Sequence, residues 1–183
     1  MVGIRGTTLG LAVVVAGCAT GPAATPAIVP GSSSAPREVN LITRDYSFVP
    51  AVLDLVPGET ITLHVINGGL VVHEAILGNG RVQDAWEAAE VAVAGAPPGP
   101  TPVVTVPNDV AGLRVVVQSG ERVDVTWTVP ADASTAGPDG DASSGAADWL
   151  VGCHIPGHLA KGMVIPIHWV LPGTARAGAL AAR

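Results

Sequence analysis

The sequence predicts an all-β fold: a β-sandwich with one short helix inserted between strands. Three observations point there. Glycine and proline number 23 and 16 among 183 residues, too many for a helix bundle and suited to a chain full of turns. Apolar and polar residues alternate in short runs, most cleanly at residues 59–66 (E-T-I-T-L-H-V-I), which places Ile61, Leu63 and Val65 on one face. Turn signals such as Pro57-Gly58 and Asn67-Gly68-Gly69 separate those runs. A chain of this length makes one ordinary domain, not two.

The elements follow in order. Residues 1–17 read as a signal peptide: Arg5 is the basic flank, residues 9–16 are apolar, and small residues come next. The apolar run falls well short of the roughly 20 residues that span a bilayer. Val15-Ala16-Gly17-Cys18 resembles the lipobox of bacterial lipoproteins. That resemblance implies that Cys18 is lipidated and becomes the first residue, anchoring the protein to a membrane without a spanning helix. Residues 18–37, rich in Ala, Thr, Pro, Gly and Ser, read as the lipidated cysteine and a flexible tether. The domain is expected over residues 38–172, with strands at 51–56, 59–66 and 70–77. Residues 82–94, with Ala, Glu and Trp86, form the helix candidate, ended by the Gly/Pro-rich stretch 95–102. Further strands are expected at 103–106, 113–118, 122–129, 149–153 and 164–170. Residues 131–148 are a low-complexity insertion and residues 173–183 a frayed tail.

Composition excludes several functions. Aromatic residues are 3% of the chain and its net charge is −6, which argues against stacking on bases or tracking a phosphate backbone; no nucleic-acid partner is expected. Asp84, Glu87 and Glu90 read as the solvated face of the helix, not as paired catalytic carboxylates. Trp127, Trp149 and Trp169 read as core aromatics. With Cys18 taken by lipid, Cys153 is a single thiol in an exported protein, where an exposed thiol tends to be oxidised. Binding a metal as thiolate would account for it.

Residues 153–163 read C-H-I-P-G-H-L-A-K-G-M, so Cys153, His158 and Met163 recur at a constant spacing within one connection between the last two strands. Thiolate, imidazole and thioether make a mixed soft set. Zinc seldom takes Met. A trigonal Cys and two His with a long axial Met is the blue-copper arrangement, and His73, in the strand V-V-H-E-A-I-L, is the best-placed second histidine. His64 alternates with core residues and is expected on the other sheet face; His154 points away from Cys153 as a surface residue or a neighbour of the ligands. His168 reads as structural.

The loop, together with G-E-T-I-T-L-H-V-I-N-G-G-L-V-V-H-E upstream, resembles the cupredoxins, the blue copper proteins. The likeness covers about residues 40–171. It implies a Greek-key β-sandwich binding one type 1 copper per chain through His73, Cys153 and His158 in the plane and Met163 as weak axial donor. With four protein donors no coordination position stays open, so electron transfer is expected, not enzymatic turnover. Partners would be a redox donor and acceptor meeting a monomer at the His158 edge, among Pro156, Gly157, Leu159 and Ala160, outside the cytoplasm. Copper storage, delivery or resistance is the alternative. Two departures stand out. Cupredoxins often carry Asn or Ser after the first histidine, whereas this chain has Glu74, a carboxylate expected to lower the reduction potential or make the site pH-sensitive. The insertion at 131–148 also precedes the ligand strand.

Overall fold

The computed structural model describes residues 27–94, 104–134 and 149–172. The expected signal peptide, Cys18, the tail, and most of the insertion at 131–148 lie outside the described residues. Among the described residues, nine strands build two sheets: β1 (Arg37–Arg44), β2 (Ser47–Val49), β3 (Leu53–Leu55), β4 (Thr60–Asn67), β5 (His73–Gly78), β6 (Leu113–Val117), β7 (Arg122–Thr128), β8 (Leu150–Gly152) and β9 (Val164–Trp169). One sheet runs β2-β1-β4-β7 and the other β3-β9-β8-β5-β6. The pairs β1/β4 and β3/β9 are parallel and the remainder antiparallel.

The alternation in β4 works as expected: Ile61, Leu63 and Val65 are fully buried between the sheets with Leu41, Leu55, Leu77, Val117, Val151, Cys153 and Met163. Trp149 lies in this core, and Trp127 and Trp169 pack against it, with ring centroids 6.4 and 5.4 Å from that of Trp149. Strand β5 breaks the alternation, since all six of its residues are buried. Its inner face meets the core, and helix α1 (Gly80–Val93) covers its outer face, where Ile76 packs on Val82 and Trp86. Asn79 caps this helix by accepting the Val82 N–H at 3.2 Å, satisfying one of the free donors of the first turn.

Three expectations change. Residues 104–107 pair with no strand among the described residues; Val104 and Val106 instead cover the Val82–Trp86 cluster. The strand expected from residue 70 starts at His73, because Asn67 folds the preceding turn onto itself. The Asn67 side chain accepts the Gly69 N–H and donates to the Val71 and Val117 carbonyls at 2.8 and 3.1 Å. The tether expected as far as Arg37 ends earlier. Ile28 is 2% exposed against Val56 and Val170, and the Gly31 carbonyl accepts the Thr60 N–H. Arg37, in β1, grips the buried Glu59 carboxylate through Nε and Nη2 at 2.7 and 2.5 Å, and Glu59 also accepts the Val56 N–H. Polar residues with one well-placed Ile are enough to attach this segment, because its backbone donors find partners.

Candidate metal centre

At the end of the sandwich where β1 and β4 finish, the structure brings together His73, Cys153 and His158. One donor atom from each lies within 4.8 Å of the other two. His73 opens β5, and Cys153 directly follows β8, two strands that pair antiparallel. His158 stands on the connection to β9, with its Nδ1 3.2 Å from the Cys153 sulfur and its ring centroid 5.1 Å from that of His73. All three are buried.

The connection closes on itself. The Cys153 N–H donates to the Met163 carbonyl, the Met163 N–H to the His158 carbonyl, and the His158 N–H to the Ile155 carbonyl, at 3.1, 3.2 and 2.9 Å. Gly157 and Gly162 adopt left-handed φ of 86° and 90°, each turning the chain immediately before a residue of the expected ligand set. Met163 is fully buried in the cluster that holds Cys153. The constant spacing thus coincides with two turns, each ending on an inward side chain.

The donor chemistry fits a soft metal ion. His73 Nδ1 is buried with no hydrogen-bond partner among the described residues, while its Nε2 lies 3.4 Å from Asp45 Oδ1. A carboxylate on one ring nitrogen fixes the tautomer that leaves the other with a free lone pair, as outer partners of metal-bound histidines do. Burial, with the nearby His73 and Lys161, lowers the His158 pKa and so favours the neutral ring that can donate a lone pair. Burial pushes the Cys153 thiol up to about 12, against the pull of the Glu74 and Ile155 N–H groups, so a cation has to displace its proton.

The remaining polar residues rearrange the expected picture. Glu74 faces away from the ligands, as neighbours on a strand do. Fully buried, it accepts Arg114 Nε at 2.8 Å and the His154 N–H at 2.9 Å. It reaches the centre through the Cys153–His154 backbone and, as a charge, adds to the burial that raises the Cys153 pKa. His154 does point away from Cys153, but it is 2% exposed, not a surface residue: its Nδ1 meets Glu87 and its Nε2 meets Gln83 Oε1, both at 2.7 Å. Glu90 likewise leaves the solvated face expected of it. It is 6% exposed and accepts Arg114 Nη2 at 2.9 Å, whereas Asp84 is exposed as read. His64 lies outside the centre, on the far face of β4, between Glu38 and Asp124. His168 pairs with Asp54 at 2.9 Å.

Two residues next to the ligands escaped the sequence reading. Asp45 and Tyr46 form the turn between β1 and β2, where the Asp45 carboxylate accepts the Leu70 N–H at 2.8 Å. Tyr46 stands edge-on to His158 and His73, with centroids 5.0 and 6.4 Å apart. Asp-Tyr between two apolar runs signals a turn and nothing more.

No family model matches the chain, and no curated protein does. Solved structures do. Auracyanin from the photosynthetic bacterium Roseiflexus castenholzii superposes with a TM-score of 0.53 at 17% identity, over 77% of this chain and 100% of its own. Auracyanin A, a "blue" copper protein from Chloroflexus aurantiacus, gives 0.51 at 22% identity, over 74% and 99%. An azurin from Methylomonas sp. strain J gives 0.52 at 17%, over 74% and 98%. At such identities the likeness establishes the fold, and the fold is the cupredoxin sandwich that the sequence predicts.

Proposed function

We propose that this chain is a type 1 copper protein that passes single electrons between redox partners outside the cytoplasm, tethered to the outer face of the membrane by lipid on Cys18. One observation carries the reading: two imidazoles and a thiol, all buried, converge within 4.8 Å, and one of the imidazole nitrogens has no other partner. In this reading His73, Cys153 and His158 hold the metal and Met163 adds the weak axial donor that a cysteine–histidine copper site favours. Auracyanin A, a "blue" copper protein of the same fold, supports copper as the ion.

Bound copper supplies a one-electron couple. The protein supplies rigidity and dryness. Asp45 orients His73, the closed 153–163 connection fixes Cys153 and His158, and burial of all three keeps water from adding a ligand. With Met163 completing the set, no position is left for substrate, which favours electron carriage over catalysis. The tether reading gains support from polarity. The described chain joins the sandwich where β1 and β4 begin, at Arg37 and Thr60, and the ligands cluster where those strands end. An anchor on that side would leave the copper end facing away from the membrane.

The test is titration of the purified chain with Cu(II), followed by visible spectroscopy and voltammetry. The reading predicts an intense thiolate-to-copper band and a reversible couple, both lost in Cys153→Ser. A colourless Cu(I) complex without a reversible couple would sink it and favour copper delivery. Mass spectrometry of the membrane fraction tests the anchor: a lipid adduct on Cys18, absent in a soluble Cys18→Ser variant, is the expected result.

A further inference from the structure

We propose that electrons enter and leave the copper centre through the ring of Tyr46, which Lys161 holds over the two ligand imidazoles; the proposal rests on the copper reading above. The sequence reading placed the port at the bare edge of His158. The structure leaves His158 8% exposed and puts a partly exposed tyrosine against it. The Tyr46 ring meets His158 at 85° with centroids 5.0 Å apart, and His73 at 90° with centroids 6.4 Å apart. A redox partner approaching this end meets the phenol ring ahead of the imidazole.

Three features indicate that the ring is placed there and has not merely settled. Tyr46 has φ of 66°, in the left-handed region, at a two-residue turn position where Gly or Asn is the ordinary choice. A bulky residue held in that conformation points to a site where geometry matters. The turn is pinned from both sides: Asp45 accepts the Leu70 N–H at 2.8 Å, and the Gly68 N–H donates to the Thr43 carbonyl at 2.9 Å. Finally, Lys161 stacks on a face of the ring with Nζ 3.5 Å from its centroid, and it is the one lysine in the sequence. A cation over the face of an aromatic ring is attracted by the ring's quadrupole. Lys161 thus belongs to the same connection as His158 and clamps the tyrosine to it.

The step is one electron moving from a reduced partner to the oxidised centre, or the reverse, across the van der Waals contacts of the ring. No bond forms or breaks, no proton moves, and Tyr46 stays a neutral phenol throughout. A second copy of this chain in the opposite oxidation state serves as partner for the test, so no unidentified protein is needed.

The experiment measures electron self-exchange between oxidised and reduced full-length protein by NMR line broadening. Tyr46→Phe keeps the ring and should match the parent, whereas Tyr46→Leu keeps apolar cover without a ring and should slow exchange severalfold. Unchanged or faster exchange in Tyr46→Leu overturns the proposal, since the imidazole edge is then the port. Lys161→Gln should slow reduction of hexacyanoferrate(III) severalfold more than reduction of a cationic cobalt(III) tris-phenanthroline complex; equal effects would remove Lys161 from the port. In the metal-free protein, Lys161→Gln should shift the Tyr46 ring protons, and unmoved signals would show that the clamp does not exist. The visible band separates the two levels: its absence in the parent protein defeats the copper reading, whereas an intact band with unslowed Tyr46→Leu defeats the port alone.

Discussion

Replacing Arg114 by Met tests whether the polar layer beneath helix α1 is a structural necessity. Arg114 lies on β6 and holds two carboxylates, Glu74 through Nε at 2.8 Å and Glu90 through Nη2 at 2.9 Å, while its guanidinium sits 4.6 Å from the Trp86 ring centroid. The Glu74 side chain is 0% exposed and that of Glu90 8%. Burial, followed by the charge of Glu74, already raises the Glu90 pKa, and Arg114 opposes the rise. Without the cation, two buried carboxylates face one another uncompensated, a change that costs about 3–5 kcal/mol. A domain typically holds ~5–15 kcal/mol in all, so the loss is severe. Urea unfolding should show a midpoint lower by roughly 1.5–2.5 M, taking a slope of about 2 kcal/mol/M. The pH dependence has a definite sign. A carboxyl whose folded pKa lies above its unfolded value favours the folded state most below that unfolded value, about 4.3, and loses the contribution as pH rises through the folded value. The deficit of Arg114→Met should therefore shrink as pH falls from 8 towards 5, and adding Glu90→Gln should recover part of it. A midpoint within about 0.3 M of the parent at pH 8, or a deficit that grows on acidification, would refute the reasoning.

Other perturbations separate the remaining parts of the fold. The hydrogen bond to Asp124, and after it that to Glu38, raises the His64 pKa against burial, with Arg122 alongside opposing. Its stabilising share is present below the unfolded value of about 6.5 and fades as pH rises through the folded value. His64→Gln should thus lower the urea midpoint at pH 6 and change it little at pH 9. A Cβ on Gly152 would stand 2.5 Å from Gln83 Oε1 and 2.9 Å from His154 Nε2. Gly152→Ala should therefore cost about 1–3 kcal/mol by overpacking, seen as faster amide exchange in α1. Ile28→Ala removes the side chain that seats the incoming segment on Val56 and Val170. A loss of about 2 kcal/mol, with faster tryptic cleavage after Arg37, is the expected result; unchanged proteolysis would show that Glu59 and Arg37 hold the segment unaided.

What the sequence disclosed is what local pattern encodes. Strand β4 shows its alternation because one of its faces meets the core and the other carries His64, Thr62 and Ile66, so period 2 survives in the letters. The Cys153–Met163 connection was legible because its donors share one loop, and their spacing is set by turns that glycine permits. His73 was found by its place within the strand that follows the Asn67 turn, and the structure brings it to Cys153 and His158. The parallel pairings of β1 with β4 and β3 with β9 had no such signature. Register between segments distant in sequence is decided by the whole core, and β1 and β2 were not resolved as separate strands.

The charged residues misled for a physical reason. An acidic residue on an amphipathic helix is ordinarily solvated, since burying an unpaired carboxylate is prohibitive. Glu90 escapes that rule because its partner, Arg114, arrives on a strand far along the chain, whereas the Glu87 side chain stays 45% exposed while it meets His154. Helix α1 then covers the outer face of β5, which removes the wet side that alternation presumes and turns Glu74 from a neighbour of the metal into a buttress of the Cys153–His154 peptide. The same carboxylate faces away from the centre, yet after burial its charge still adds to the rise of the Cys153 pKa. Its position is also structural: Glu74→Gln, which loses the charge but keeps an acceptor for the His154 N–H, should perturb the thiolate band less than Glu74→Leu, which removes both.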